Sequence, residues 1–123
     1  MLRKIDCVMV RVDDLEAASS FYARVFGLRQ LWHGESSVGM GMPETDAEIV
    51  LHTMSLPREW GVHYLVDDVL AAVSTYSAQG CVVHEPPFEV AVGRCAVLED
   101  PFGNAICILD LSKGPRWARP ENG

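Results

Sequence analysis

A repeated pattern of apolar and polar positions organises this chain. Valines at every second position of residues 8–12 predict a strand with two different faces. The polar pair Asp13-Asp14 can cap the first turn of a helix, and apolar residues recur at helical spacing through residues 14–26. Gly27 follows where a left-handed residue ends many helices. The pattern therefore predicts a strand, a turn and a helix, with the valine face of the strand against the helix.

The same unit occurs a second time, 54 positions along, counted from Val12 to Val66. Residues 8–22 read VMVRVDDLEAASSFY and residues 62–76 read VHYLVDDVLAAVSTY, which match at eight of fifteen positions. Gly80 is expected to end the second helix as Gly27 ends the first. A long period that occurs only twice predicts two halves of similar build around one core, rather than a solenoid.

Three further strand patterns follow each helix, separated by turn residues, so that each half reads as a βαβββ module. The predicted elements of the first half are strand 4–12, helix 14–26 and strands 28–33, 37–42 and 47–54; those of the second are strand 61–66, helix 69–79 and strands 81–85, 93–99 and 105–111. We expect a break at Pro86-Pro87, since proline cannot donate a ladder hydrogen bond. The prediction is one α+β domain with modules at 4–54 and 61–111 and an extended tail at 112–123, in which Trp117 is a candidate anchor.

Charge and composition narrow the range of partners. The chain has 123 residues and a formal net charge of −7, which argues against nucleic acid and anionic membranes as partners. No apolar run approaches the roughly 20 residues that span a membrane. The four cysteines follow no Cys-x-x-Cys spacing, and the N-terminus has no long apolar stretch, so a cytoplasmic location with reduced thiols is expected.

The paired modules resemble the vicinal oxygen chelate superfamily, which includes glyoxalase I, extradiol dioxygenases, and fosfomycin- and bleomycin-resistance proteins. The resemblance rests on the strand followed by DDLEAASSFY and on the late turn DPFGN at residues 100–104, and it covers residues 4–111. It implies an α+β fold in which the curled mixed sheets of two βαβββ modules enclose a cleft. It further implies a small-molecule ligand in that cleft and a homodimer.

In metal-dependent members of that superfamily, the first and last strands of each module supply ligands to one divalent ion. The resemblance places Cys7 where the first ligand is usually His, and Cys107 where the last is usually Glu. Gly61 takes the place of the third ligand, with His63 two residues on. The ligand on the fourth strand stays open, because either of two sets can face the cleft: Glu48, Val50 and His52, or Ile49, Leu51 and Thr53.

Two interpretations of these residues compete. In one, a rearranged set of thiolate and imidazole ligands holds a divalent metal, with Zn²⁺ the best match and Ni, Fe or Mn as other candidates; the set is Cys7, His52, His63 and Cys107. In the other, no cofactor is bound, the cysteines are small buried thiols and the histidines line a pocket.

Arg11 is the candidate for binding an anionic group. It lies on the same strand face as Cys7 and Met9. The resemblance to glyoxalase I implies that an Arg at this position binds the carboxylate of the substrate. The alternative is a structural ion pair with Glu48. The remaining candidates for contact with a ligand are Met9, Glu48, Trp32 and Met40, of which the large apolar side chains could equally belong to the core.

The sequence therefore predicts a protein that binds a small organic molecule in a cleft between its modules. The alternative is a metal-dependent lyase, isomerase or dioxygenase that uses the rearranged Cys/His site. The glyoxalase I reaction itself is not expected, because it requires a carboxylate base, and the position that resembles that base holds Cys107. Glu48 could supply a carboxylate instead, but only if the face of the fourth strand that carries Val50 and His52 points into the cleft.

Overall fold

The structure is a computed structural model, and it describes residues 1–114. Both halves are βαβββ modules, as predicted. The first consists of β1 (Lys4–Arg11), α1 (Leu15–Phe26), β2 (Arg29–His33), β3 (Ser37–Met42) and β4 (Thr45–His52). After one turn of 3₁₀ helix (Arg58–Trp60), the second consists of β5 (Val62–Leu65), α2 (Val69–Ala78), β6 (Val82–Val90), β7 (Gly93–Glu99) and β8 (Ala105–Leu109).

The eight strands form one curled sheet in the order β2-β3-β4-β1-β5-β8-β7-β6. Each module contributes four neighbouring strands, and within a module the first and last strands run parallel, as β1 with β4 and β5 with β8. The modules join where β1 and β5 pair antiparallel. The first strands of the two modules are therefore neighbours at the centre of the sheet.

Both helices begin at the predicted caps. The side chain of Asp14 accepts a hydrogen bond from the backbone N–H of Ala17 at 3.0 Å, and Asp68 accepts the equivalent bond from Ala71 at 3.1 Å. Each carboxylate thereby satisfies one of the N–H groups that a helix start leaves without a partner. Gly27 ends α1 in the left-handed conformation, as predicted, with φ of 72°.

The helices lie on one face of the sheet and bury its alternate apolar residues. Val10 and Val12 pack with α1, and Val66 packs with α2, which confirms the predicted valine face. The first core cluster also contains Val38, Met40 and Leu51, and the second Ala96, Leu98 and Ile108. We call the opposite face, which carries Cys7 and its paired residues, the open face.

The predicted break at Pro86-Pro87 is wrong, because β6 continues through both prolines to Val90. Its ladder with β7 shifts register between Val83 and Glu85 and again between Glu85 and Phe88. The strand lies at the edge of the sheet, where proline's missing N–H and local bulges are tolerated.

The predicted tail at 112–123 lies mostly outside the described residues, and Trp117 is among those outside. Within residues 1–114, neither helix has the length and apolar character needed to cross a membrane.

A buried carboxylate, Asp110, connects three parts of the second module through hydrogen bonds. Asp110 is 1% exposed, and its two oxygens accept backbone N–H groups from Val69 at 2.8 Å, Arg94 at 3.0 Å and Ser112 at 3.2 Å. Burial acts to raise the pKa of Asp110, but these hydrogen bonds outweigh it and lower that pKa below its ordinary value. One side chain thus joins the start of α2, β7 and the chain after β8.

Asp110→Ala should lower the free energy of unfolding at pH 7 by about 3 kcal/mol or more, because three buried N–H groups lose a charged acceptor. Since the folded-state pKa is lowered, this contribution is present above the unfolded value of about 3.9 and is lost as pH falls through the folded value. Urea unfolding of both proteins between pH 3 and 8 measures it. The control, Asp67→Ala, removes a carboxylate that is 87% exposed and should change stability little. A constant difference down to pH 3 would contradict the assignment.

Candidate functional site

Four side chains from four neighbouring strands line up across the open face. Cys7 of β1 pairs with Glu48 of β4 on one side and with His63 of β5 on the other, and His63 pairs with Cys107 of β8. Residues paired across a ladder share a face, with strands about 4.8 Å apart. The order along this row is therefore Glu48, Cys7, His63, Cys107.

The ladder decides which residues of β4 face this row. Glu48, Val50 and His52 pair with Cys7, Met9 and Arg11 respectively, so they lie on the open face. Ile49 and Leu51 of the alternative set pack in the core with α1. The row consequently contains a carboxylate that the sequence alone left open.

His52 is not part of the row, so the expected metal set of Cys7, His52, His63 and Cys107 is not brought together. His52 lies four residues beyond Glu48 along β4, or about 13 Å at about 3.3 Å per residue. Its ladder partner is Arg11, at the end of β1. The sequence could not fix this separation, because it depends on how β4 aligns with β1.

The residues as arranged do not fit a divalent metal ion. Within residues 1–114 no three His, Cys, Asp or Glu side chains are grouped closely enough to hold one. Burial raises the pKa of the Cys107 thiol to about 11, so without a bound ion this thiol is neutral at pH 7. One oxygen of Glu48 already accepts a hydrogen bond from the indole of Trp32 at 2.7 Å.

Trp32 reaches Glu48 by lying across β3. A Cβ at Gly39 would stand 2.0 Å from the Nε1 atom of Trp32, so the indole occupies the space that any side chain at position 39 would need. Leu31 lies similarly over Gly41, with its nearest side-chain atom 2.9 Å from where a Cβ would stand. In sequence the two glycines only weaken a strand pattern. In the structure their lack of a side chain leaves room for Trp32 and Leu31 to lie over β3.

Arg11 lies at the rim of the open face, where its side chain is 49% exposed. Its guanidinium donates to the Asp13 carboxylate at 3.0 Å and to the carbonyl oxygen of Val12. The ion pair considered from sequence, with Glu48, is not the one observed. Because a single exposed ion pair contributes little, the Arg11 fork can exchange Asp13 for another anion at small cost.

The two methionines proposed as cleft wall lie on opposite faces. Met9 is half-buried on the open face, with its sulfur 4.0 Å from that of Cys7. Met40 is fully buried in the core with α1, since it pairs with Ile49 rather than with a residue of the open face. The structure therefore does not bring Met40 to this face, because one position along a strand reverses the side-chain direction.

His52 is 97% buried, and its ring has a defined orientation. Its Nδ1 atom accepts the backbone N–H of Met54 at 3.1 Å, which also explains why β4 ends at His52 instead of residue 54. Burial, and then the positive charge of Arg11, lower the pKa of His52 below its ordinary value. The imidazole therefore favours its neutral form.

The two modules use the open face differently. In the second module it is filled by a core cluster of Val92, Cys95 and Leu109 with Val90 against it. In the first module a hollow of about 490 Å³ opens beside Glu48. Its lining includes Arg29, Leu31, Gly41 and Asp46. Space for a ligand is thus found on the first module, in this hollow beside Glu48.

The sequence model of the Glyoxalase/Bleomycin resistance protein/Dioxygenase superfamily matches residues 4–108. The chain belongs to this superfamily. It is 33% identical over 107 residues to "Putative glyoxylase CFP32" of Mycobacterium tuberculosis and to the protein of the same name from Mycobacterium bovis. Those matches cover 79% of this chain, and the chain spans 40% of the length of these curated relatives.

Solved structures of methylmalonyl-CoA epimerases share the fold. A single-residue variant of Streptomyces coelicolor methylmalonyl-CoA epimerase, in complex with 2-nitronate-propionyl-CoA, superposes with a TM-score of 0.72 at 21% identity, covering 91% of this chain and 99% of the epimerase. The Mycobacterium tuberculosis methylmalonyl-CoA epimerase gives a TM-score of 0.72 at 18% identity, covering 95% and 92%. At such identities the likeness establishes the superfamily fold alone.

Gly39→Ala should displace the Trp32 indole, break its hydrogen bond to Glu48 and lower the free energy of unfolding by about 1–3 kcal/mol. The indole N–H resonance of Trp32 in a ¹H–¹⁵N spectrum and urea unfolding measure the two effects. Gly61→Ala is the matched control, since a Cβ there would meet its nearest neighbour at an ordinary 3.5 Å. In a Trp32→Ala background the Gly39 substitution should cost little. An equal cost in both backgrounds would show that the indole is not what limits position 39.

Proposed function

We propose that this superfamily member binds a small organic molecule on the open face of its first module, with an anionic or carbonyl oxygen of the ligand at Arg11. The observation that carries the proposal is the ladder pairing of Arg11 with His52, at one end of an apolar strip formed by Met9 and Trp32. Glu48 closes the other end of the strip, about 13 Å away along β4.

The chemistry of the strip supports a ligand with an apolar body and a polar end. A guanidinium binds a carboxylate through paired, charge-assisted hydrogen bonds. A thioether and an indole offer apolar contact area to the rest of the molecule.

Binding is proposed to be independent of metal. The engagement of Glu48 by Trp32 and the distance of His52 from the row support this choice over a metal-dependent lyase, isomerase or dioxygenase. The glyoxalase I reaction is not expected either. The residue in the position that resembles its carboxylate base is Cys107, whose buried neutral thiol is a poor proton acceptor. Glu48 does lie in the central row, but one of its oxygens is engaged by the Trp32 indole.

3-Phenylpropionate is a suitable probe, since it joins an apolar ring to a carboxylate. Followed by ¹H–¹⁵N spectra, it should bind the wild type, and Arg11→Gln should weaken binding about tenfold through loss of one charge-assisted contact. Arg3→Gln is the matched control, because Arg3 also forms an exposed pair with an aspartate, Asp67 at 3.1 Å, but precedes the first residue of β1, at the end of the strand far from Arg11. Equal affinity in the Arg11 variant would contradict the proposal.

The same titration decides whether a metal takes part. Protein dialysed against EDTA should bind the probe as tightly as untreated protein, and elemental analysis of protein purified without a histidine tag should find no stoichiometric Zn, Ni, Fe or Mn. Binding that is lost with EDTA and restored by one of these ions would favour the metal-dependent alternative.

We also propose that the protein acts in the cytoplasm and as a homodimer. No disulfide joins its four cysteines, all of which lie in the described part of the chain, as expected for a reducing compartment. Support for a second copy comes from α1, whose outer face exposes Phe21, Val25 and Phe26 by 44%, 49% and 58%. Neighbouring exposed apolar side chains of this kind are typical of surfaces that bind another protein.

Light scattering should give twice the mass of one chain, and Val25→Glu with Phe26→Glu should shift the population toward the monomer by placing charge on the apolar face. The control, Phe102→Glu, alters a side chain that is 85% exposed on the turn before β8. A monomeric wild type at high micromolar concentration would rule out the homodimer. An unchanged dimer in the double variant would show that Val25 and Phe26 are not part of its interface.

A further inference from the structure

The orientation of the His52 ring fixes which of its nitrogens can carry the proton. The backbone N–H of Met54 can only donate, so the Nδ1 atom that accepts from it, at 3.1 Å, has no proton. A neutral imidazole keeps one proton, which must then be on Nε2. The local fold therefore selects the tautomer in which Nε2 is a hydrogen-bond donor.

This donor has no hydrogen-bond acceptor within residues 1–114, and it stands beside a cation. His52 and Arg11 are direct partners in the parallel ladder of β1 and β4, on the open face. The guanidinium disfavours a second positive charge next to it, in keeping with the lowered pKa of His52. The pair thus combines one charged fork with one neutral N–H donor.

We propose that the Nε2–H of His52 is a ligand-recognition group that donates to a carboxylate or carbonyl oxygen held at Arg11. This inference rests on the proposed function and adds the residue that selects the class of ligand. Two donors and no acceptor make the site complementary to oxygen atoms with free lone pairs. A carboxylate should bind best, a primary amide should bind more weakly, and an ammonium group of the same shape should be rejected.

A purely structural role for His52 would require only its Nδ1 atom, which terminates β4 through Met54. The two amide residues separate the roles. In His52→Asn the side-chain oxygen stands near the place of Nδ1 and can accept from Met54, but nothing reaches the place of Nε2. In His52→Gln the side-chain nitrogen can reach that place and donate there.

The first measurement uses the wild-type protein without substitution. A long-range ¹H–¹⁵N correlation of the histidine rings, assigned by comparison with His52→Asn, should show His52 as the neutral Nε2–H tautomer near pH 7. Its Nε2–H signal should shift on saturation with 3-phenylpropionate. An Nδ1–H tautomer, or a signal that the probe does not move, would overturn the inference.

The second measurement compares the affinities of three probes: 3-phenylpropionate, 3-phenylpropionamide and 3-phenylpropylamine. The wild type should bind them in that order, with the amine undetected. His52→Asn should bind the carboxylate about tenfold more weakly, as expected for one lost donor to a charged group, and His52→Gln should stay within about threefold of the wild type. Backbone ¹H–¹⁵N spectra of both variants check that the fold is kept.

The outcomes separate this inference from the proposed function. If the wild type binds the carboxylate and His52→Asn binds it equally well, His52 is only a structural residue and the proposed function stands. If the wild type binds neither the carboxylate nor the amide, the proposed function fails and the role of His52 as a ligand donor fails with it.

Discussion

The antiparallel pairing of β1 with β5 is the constraint on which the rest of the structure depends. Backbone hydrogen bonds from Arg3 to Leu65 at 2.8 Å and from Met9 to Gly61 at 2.7 Å join strands of different modules. Each bond contributes only about 1 kcal/mol, but together they set the register of the two modules. A slip of one residue would turn every side chain of one module to the other face, so this pairing decides that Cys7 and His63 are neighbours.

The two βαβββ modules have similar first strands and helices, but they differ in what covers the open face. The second module covers that face with Val90, Val92, Cys95 and Leu109. The first leaves a hollow beside Glu48, and over β3 the side chains of Trp32 and Leu31 occupy the room above glycines 39 and 41. The two modules share their topology, but within residues 1–114 only the first has space for a ligand on the open face.

The chemistry of that side depends more on hydrogen bonds at strand ends than on the row at the centre of the sheet. The buried thiol of Cys107 remains neutral because its thiolate would lose its hydration, which raises the pKa of this group. At the ends of β1 and β4, chain direction changes and backbone groups are released from the ladder. One of them, the N–H of Met54, orients the ring of His52. Arg11 and His52 meet there because parallel strands bring equivalent ends together.

Local patterns in the sequence determined the two modules, the helix caps at Asp14 and Asp68, the left-handed Gly27 and the valine face beneath the helices. All of these depend on residues near one another in the chain, where side-chain spacing and backbone preference act directly. The continuity of β6 through Pro86 and Pro87 was not predictable in this way. Whether a strand tolerates proline depends on its place at the edge of a sheet, which other strands decide.

For the site, too, the sequence identified candidate residues and the tertiary structure decided how they are arranged. Cys7, Glu48, His52, His63 and Arg11 could be identified as candidates from sequence and resemblance. Only the tertiary structure decided that Glu48 joins the central row, that His52 stands with Arg11 and that Met40 lies on the other face, because a strand's register is set by its partners and reverses with each residue. The contact of Trp32 with Glu48 across Gly39 likewise requires three strands to be side by side, and no local pattern specifies that arrangement.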